Sequence, residues 1–205
     1  MKRFMTWSIV LIMLLSLTAV FAENQQKKEG KLKGKKIVMI IAQRQFEKAE
    51  FENPKEIFDN EGANVTIASS TLSMATGGSL SVKPDILIDD IKVKDFDAIV
   101  FIGGFGVTEY FENPHAHRIA RQALEADKIL AAICMAPRIL ANAGVLKGKK
   151  ATCFPNVKED IKDKGAIVTG EMVERDGNII TGNGPGAATK FGETIASALS
   201  EQIGR

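Results

Sequence analysis

At 205 residues, 45% hydrophobic and 25% charged, the chain has ordinary globular composition and length for one domain with a real core. Its formal charge of +2 comes from the N-terminal region: beyond residue 36, 19 basic residues face 23 acidic ones, a balance that argues against nucleic acid as a partner. Two cysteines, Cys134 and Cys153, are too few for a disulfide scaffold and lack zinc-ligand spacing.

Residues 1–22 read as a signal peptide. Lys2 and Arg3 precede an apolar run, Met5 to Leu17, free of acidic residues, and Val20 and Ala22 are the small residues a signal peptidase needs. Cleavage would leave Glu23 first and export the protein, to a periplasm or to the outside, with no membrane association afterwards. The alternative is an uncleaved anchor, since Met5 to Ala22 just reaches spanning length, although Thr6, Ser8, Ser16 and Thr18 weaken it. Residues 23–35 are Lys-rich and nearly free of apolar side chains, a solvated linker, and residues 36–205 form the folded domain.

Within that domain β-rich runs alternate with helical ones. "KIVMIIA" (36–42) predicts a buried strand, residues 47–62 a helix ended by Gly62, and "NVTIASS" (64–70) a second strand. Residues 71–97, punctuated by Gly77-Gly78 and Lys83-Pro84, predict a hairpin or excursion off the main sheet. "AIVFIGG" (98–104) is again a strand, and a helix follows with Asn113 as N-cap and Pro114 at its first position. "KILAAIC" (128–134) predicts a strand, "APRILANAG" a short helix ending at Gly144, "KKATCF" (149–154) a strand and "NVKEDIKDKG" a helix. A hairpin turned at Asp176-Gly177 and a C-terminal helix complete the chain.

Continuous apolar strands that each lead into a helix imply an α/β fold with a mostly parallel sheet covered on both faces. Function in such sheets sits at the carboxyl ends of the strands, which brings Gly103-Gly104, Cys134 and the Glu-rich start of the first helix to one edge. Cys134 ends a strand and opens a tight turn into a helix, a setting whose N–H groups and dipole lower a thiol's pKa. A buried structural cysteine is the other reading of this feature. The N–H groups of Gly103-Gly104 could hold a developing oxyanion, a weak signal alone because strand-to-loop turns use Gly-Gly widely.

"AAICMAP", preceded by "AIVFIGG" and followed by "RILANAGVLKGKKAT", resembles the nucleophile-elbow region of the DJ-1/PfpI superfamily. "EKAEFENPKEIFDNEGANVTIAS" is similar to that family's first helix and second strand, and "ERDGNIITGNGPGAATKFGETIASAL" to its C-terminal hairpin and helix. The likeness covers residues 36–203. It implies a flavodoxin-like three-layer α/β sandwich, a homodimer, and a reactive cysteine set against a carboxyl of the first helix, which "AEF" places at Glu50. A carboxyl beside a thiolate in a partly apolar pocket has a raised pKa and, protonated, can donate to the sulfur. Glu47 and Glu52 read as solvated helix charges.

Two departures from the family stand out. Met135 follows the cysteine where peptidase-like members carry His, and Phe154 stands where many DJ-1-side members have a His before a Pro. No base of a Cys-His pair is visible at either place. His115 and His117, i and i+2 on a helix, diverge and read as a solvated helix start, so no metal site is expected. Met39, Met74 and Met172 read as core or gap-filling residues. Cys153 alternates with Phe154 along its strand, so if Phe154 lines the pocket Cys153 points elsewhere, which disfavours a Cys134–Cys153 disulfide.

The leading functional reading is an enzyme that takes a small carbonyl substrate without metal or cofactor. Cys134 attacks the carbonyl, N–H groups of Gly103, Gly104 and Met135 hold the oxyanion, and Glu50 shuttles the proton, which resembles glyoxalase or deglycase chemistry. The alternatives are a redox or stress protein whose Cys134 is oxidised to a sulfinate, a PfpI-like cysteine peptidase, and a non-catalytic binding scaffold.

Overall fold

The computed structural model describes residues 30–202, so the expected signal peptide and residues 23–29 of the expected linker lie outside the described residues. In chain order, strand β1 (Lys36–Ile40) leads through a loop into helix α1 (Lys48–Asn60) and then β2 (Asn64–Ser69). A hairpin of β3 (Ala75–Gly77) and β4 (Leu80–Val82), turned at Gly78, precedes the short β5 (Ile86–Leu87). Next come β6 (Ala98–Phe101), α2 (Pro114–Glu125), β7 (Ile129–Ile133), α3 (Pro137–Asn142), β8 (Lys150–Ala151) and α4 (Lys158–Asp163). Finally β9 (Ile167–Val168), β10 (Val173–Asp176) and β11 (Ile179–Gly182) lead to α5 (Ala188–Glu201).

Seven strands form the main sheet in the order β10-β11-β7-β6-β1-β2-β5, parallel except for the β10–β11 hairpin. The central strands β6 and β7 are buried at every residue, so both faces of the sheet are covered. Helices α1 and α5 pack together, as do α2 and α3. Gly192 on α5 makes the first contact close: a Cβ there would lie 2.8 Å from Pro54 Cα of α1. The expected cap of α2 is formed, with Asn113 Oδ1 accepting from the His115 and Ala116 N–H groups at 2.9 and 3.1 Å, a contribution of about 1 kcal/mol.

β1 has β2 on one side and β6 on the other, so the order of connection reverses between β1 and β6. The crevice at the carboxyl ends of strands flanking such a reversal is where open α/β sheets bind ligands.

Four expectations are corrected by the packing. The excursion does not stay wholly off the main sheet, because β5 pairs with β2 at its edge. The run 149–154 is a strand only at Lys150–Ala151, paired with β9 in a separate two-stranded sheet. Past it the Thr152 N–H donates to Thr181 Oγ1 and the Phe154 N–H to the Cys134 carbonyl, so the segment is tied by isolated bonds instead of a ladder. Met39 is in the core, but Met74 and Met172 are about half exposed and fill no gap. Leu32, in the expected linker, is fully buried, and its own N–H donates to the Glu61 carbonyl at 2.9 Å. Burying a leucine contributes about 1.5–3 kcal/mol, enough to draw this stretch onto the domain despite its lysines.

Candidate active site

Three turns meet at the carboxyl ends of β1, β6 and β7: residues 41–47, Gly103-Gly104 and Cys134. Cys134 lies just past β7 with φ +66, a left-handed backbone that costs a non-glycine residue on the order of 1–3 kcal/mol. Neighbours over-determine it: the Cys134 N–H donates to the Gly182 carbonyl at 2.9 Å, and the Cys134 carbonyl accepts from the Phe154 N–H at 2.7 Å. Both backbone groups of the elbow are thus tied, one to β11 and one to the segment that follows β8.

Glu50, in the first turn of α1, is fully buried. Its Oε2 accepts from the Gly103 N–H at 3.1 Å, while Oε1 is buried without a hydrogen-bond partner among the described residues. An orphaned buried acceptor costs about 1–3 kcal/mol, more if charged, which a proton on the carboxyl relieves. Gly103 is what lets acid and thiol converge. A Cβ there would lie 2.5 Å from Cys134 Cβ and 2.6 Å from Glu50 Oε2, so a larger residue would force them apart. Gly104, at φ +98, packs equally closely on the loop after β1, and the Glu47 N–H donates to the Gly103 carbonyl at 3.0 Å.

Burial pushes the Glu50 carboxyl up from 4.5 to about 8; the hydrogen bond with Cys134 opposes the rise, the charge of Glu47 adds to it and the Gly103 N–H opposes it. The Cys134 thiol is pushed up from 9.0 to about 12, first by burial and then by the charge of Glu50, against hydrogen bonds from the Gly104 and Met135 N–H groups. The expectation of a thiolate at neutral pH is therefore corrected. α3 is only six residues long, and two N–H donors do not offset burial beside a second acid. The two groups titrate as a pair. Both hold their protons at neutral pH, and the first loss, near pH 8, leaves one proton shared between sulfur and carboxyl.

Cys134, Glu50, Gly104 and Met135 line one cleft of about 330 Å³ with Phe46, Phe105 and Phe154 among its walls. Gly103, expected as an oxyanion donor, gives its N–H to Glu50 instead, which leaves Gly104 and Met135 as the donors at the sulfur. Glu47, expected as a solvated charge, is half-buried and lines the cleft, whereas Glu52 pairs with Lys48 at 3.7 Å outside it. Phe154 faces the cleft and Cys153 does not; both cysteines are free. Neither histidine lines the cleft: His115 sits 3.5 Å from Asp89, and His117 Nε2 lies 2.7 Å from the Phe111 carbonyl. A more open groove of about 480 Å³ between residues 91–94 and α2 holds none of these groups.

Several cleft residues were not legible as such in the sequence: Phe105, 70% exposed at the rim, Gly78 of the β3–β4 turn, and Pro185. The position of Phe105 directly after Gly103-Gly104 was the available signal for it. Gly106 carried none, although a Cβ there would collide with the Arg44 carbonyl.

The sequence profile of the DJ-1/PfpI family matches residues 35–198. The uncharacterized protein MJ0967 of Methanocaldococcus jannaschii is 33% identical over 98% of both chains. Deglycase PfpI of Pyrococcus furiosus is 34% identical over 73% of this chain and 90% of its own. Among solved structures, a ThiJ/PfpI domain protein from Brachyspira murdochii superposes with a TM-score of 0.80 at 27% identity, over 82% of this chain and 98% of its own.

Proposed function

Because the chain belongs to the DJ-1/PfpI family, we propose that it is a cysteine-dependent enzyme acting on small reactive carbonyls through Cys134 and Glu50, in the manner of a glyoxalase or deglycase. The observation that carries this reading is the thiol and the fully buried carboxyl held against one glycine at the base of a cleft of about 330 Å³. Relatives named deglycases at 33–35% identity support the same class of substrate.

With an α-oxoaldehyde the steps balance as follows. Once the pair has lost one proton, Cys134 sulfur adds to the aldehyde carbon, and the remaining proton passes from Glu50 to the carbonyl oxygen, which the Gly104 and Met135 N–H groups stabilise meanwhile. The Glu50 carboxylate takes the hydrogen from that carbon and delivers it to the neighbouring carbon, while the proton on the former aldehyde oxygen moves to the neighbouring ketone oxygen, producing a thioester of a 2-hydroxy acid. Water then cleaves the thioester and restores the thiol. No metal or cofactor is called on.

Turnover of methylglyoxal to lactate tests this. Cys134→Ser should lower kcat/KM by about 10³-fold or more and Glu50→Gln by about 10²-fold, with the wild-type rate rising through about pH 8. Wild-type turnover in either variant would reject the assigned roles. A second reading, a redox or stress role in which peroxide oxidises Cys134 to a sulfinate, draws on the same N–H donors and the protonated Glu50. Peroxide treatment with mass mapping separates it, since oxidation confined to Cys153 would reject it. The peptidase reading lacks a base, as no histidine lines the cleft. Export through residues 1–22 and a homodimer belong to the proposal and are checked by the mature N-terminus and by sedimentation.

A further inference from the structure

The Cys134 cleft carries a charge pattern that carbonyl chemistry does not itself demand. Among the described residues its ionisable lining groups are Glu47, Glu50 and Cys134, and no Lys, Arg or His lines it. Glu50 is spoken for, being fully buried and bonded to the Gly103 N–H. Glu47 has no place in the steps above, yet it is the residue whose backbone docks α1 onto the Gly103-Gly104 turn, at 3.0 Å. That bond ties its carboxyl to the site.

Two positive features could offset its charge. The first is the N-terminus of α1, which Glu47 caps; its Oε1 accepts from the Ala49 N–H at 3.5 Å, a single long bond that offsets the charge only in part. The second is the N-terminus of α3, a helix of only six residues; the Met135 N–H, in the turn before it, is already turned to the Cys134 sulfur. The carboxylate of Glu47 is close enough to raise the pKa of Glu50. An approaching ligand therefore meets a negative field at the mouth and aromatic walls, Phe46, Phe105 and Phe154, around it.

We propose that Glu47 is a specificity-determining charge filter: it admits neutral and positively charged electrophiles to Cys134 and holds off anionic ones. Resting on the function proposed above, this narrows the substrates to uncharged dicarbonyls and amine-linked carbonyl adducts, and excludes carbonyls that bear a carboxylate or phosphate. The filter itself can be tested without any turnover.

Iodoacetamide and iodoacetate are similar in size and react identically, sulfur–carbon bond formation with loss of iodide, but only the second is an anion. The rate of each at Cys134 is measured at pH 8.5 by mass mapping of the full chain, and their ratio is compared with that of the same cysteine in urea. The folded protein should favour the amide by a further factor of about 5 to 10, the effect of one partly screened unit charge, and the excess should shrink in 1 M salt. Glu47→Asn removes the charge and keeps a good N-cap, so it should lose at least about threefold of that excess, while Glu47→Asp, which keeps both, should retain it. Glu52→Gln, on the same helix outside the cleft, should leave the ratio unchanged. A folded ratio equal to the ratio in urea, or one that Glu47→Asn leaves intact, overturns the filter. Absence of methylglyoxal turnover with the ratio intact would instead reject the proposed function and leave the filter standing.

Discussion

Cys134 and Cys153 are almost equally buried, at 6% and 7% exposure, and burial is the main influence on both thiols, pushing them up to about 12 and about 11. What separates them is company. Around Cys153 the other influences are Lys158 and Asp160, whose charges act in opposite directions. Around Cys134 there is a second acid with a raised pKa, two N–H donors, a strained backbone and a cleft. A buried thiol becomes useful when a neighbour can hold its proton and a ligand can reach it, and the titration value of the isolated group says little about either.

The largest expected contrast is in alkylation. At pH 9 Cys134 should react at least about tenfold faster than Cys153, because the Cys134–Glu50 pair loses its first proton near 8 whereas the Cys153 thiol waits until about 11. Equal rates, followed by mass mapping across pH, would erase the distinction.

Gly103→Ala should sharpen it from the structural side. Its Cβ would press on Cys134 and Glu50 together, so a loss of about 3 kcal/mol in chemical denaturation is expected, with Cys153 reactivity in the folded state unchanged.

A further effect, on the order of 5 kcal/mol across the whole window, concerns pH and stability. The folded state holds the Glu50 proton up to about 8 while the unfolded chain releases it near 4.5, so the folded state binds more protons across that window. Stability from this group is therefore full below pH 4.5 and falls as pH rises to 8. Glu50→Gln should flatten that slope and melt several degrees higher than wild type at pH 8. Cys153→Ser should leave the slope as it is.

Much of this architecture could be read from residues in sequence. β1, β6 and β7 are continuous apolar runs, Asn113-Pro114 marks the start of α2, and Asp176-Gly177 turns the β10–β11 hairpin. The pairing of Cys134 with Glu50 was reached through resemblance, since 83 intervening residues hide it from any local pattern. What stayed hidden depends on where backbone groups point. That the Gly103 N–H serves Glu50, that Thr152 bonds a side chain instead of a strand, and that Glu47 turns toward the cleft are facts of packing. The titration of Cys134 failed as an expectation for the same reason: a dipole can be guessed from a turn, but desolvation requires knowing what covers the sulfur.

The glycine at position 192 has a temporal meaning. α1, which carries Glu50, leans on α5 at the point where Gly192 meets Pro54. A chain emerging from the ribosome therefore has its cysteine long before it has the buttress that seats the acid beside it. A chain that stops short of α5 is expected to carry the thiol with the helix of its proton partner unbraced at Pro54.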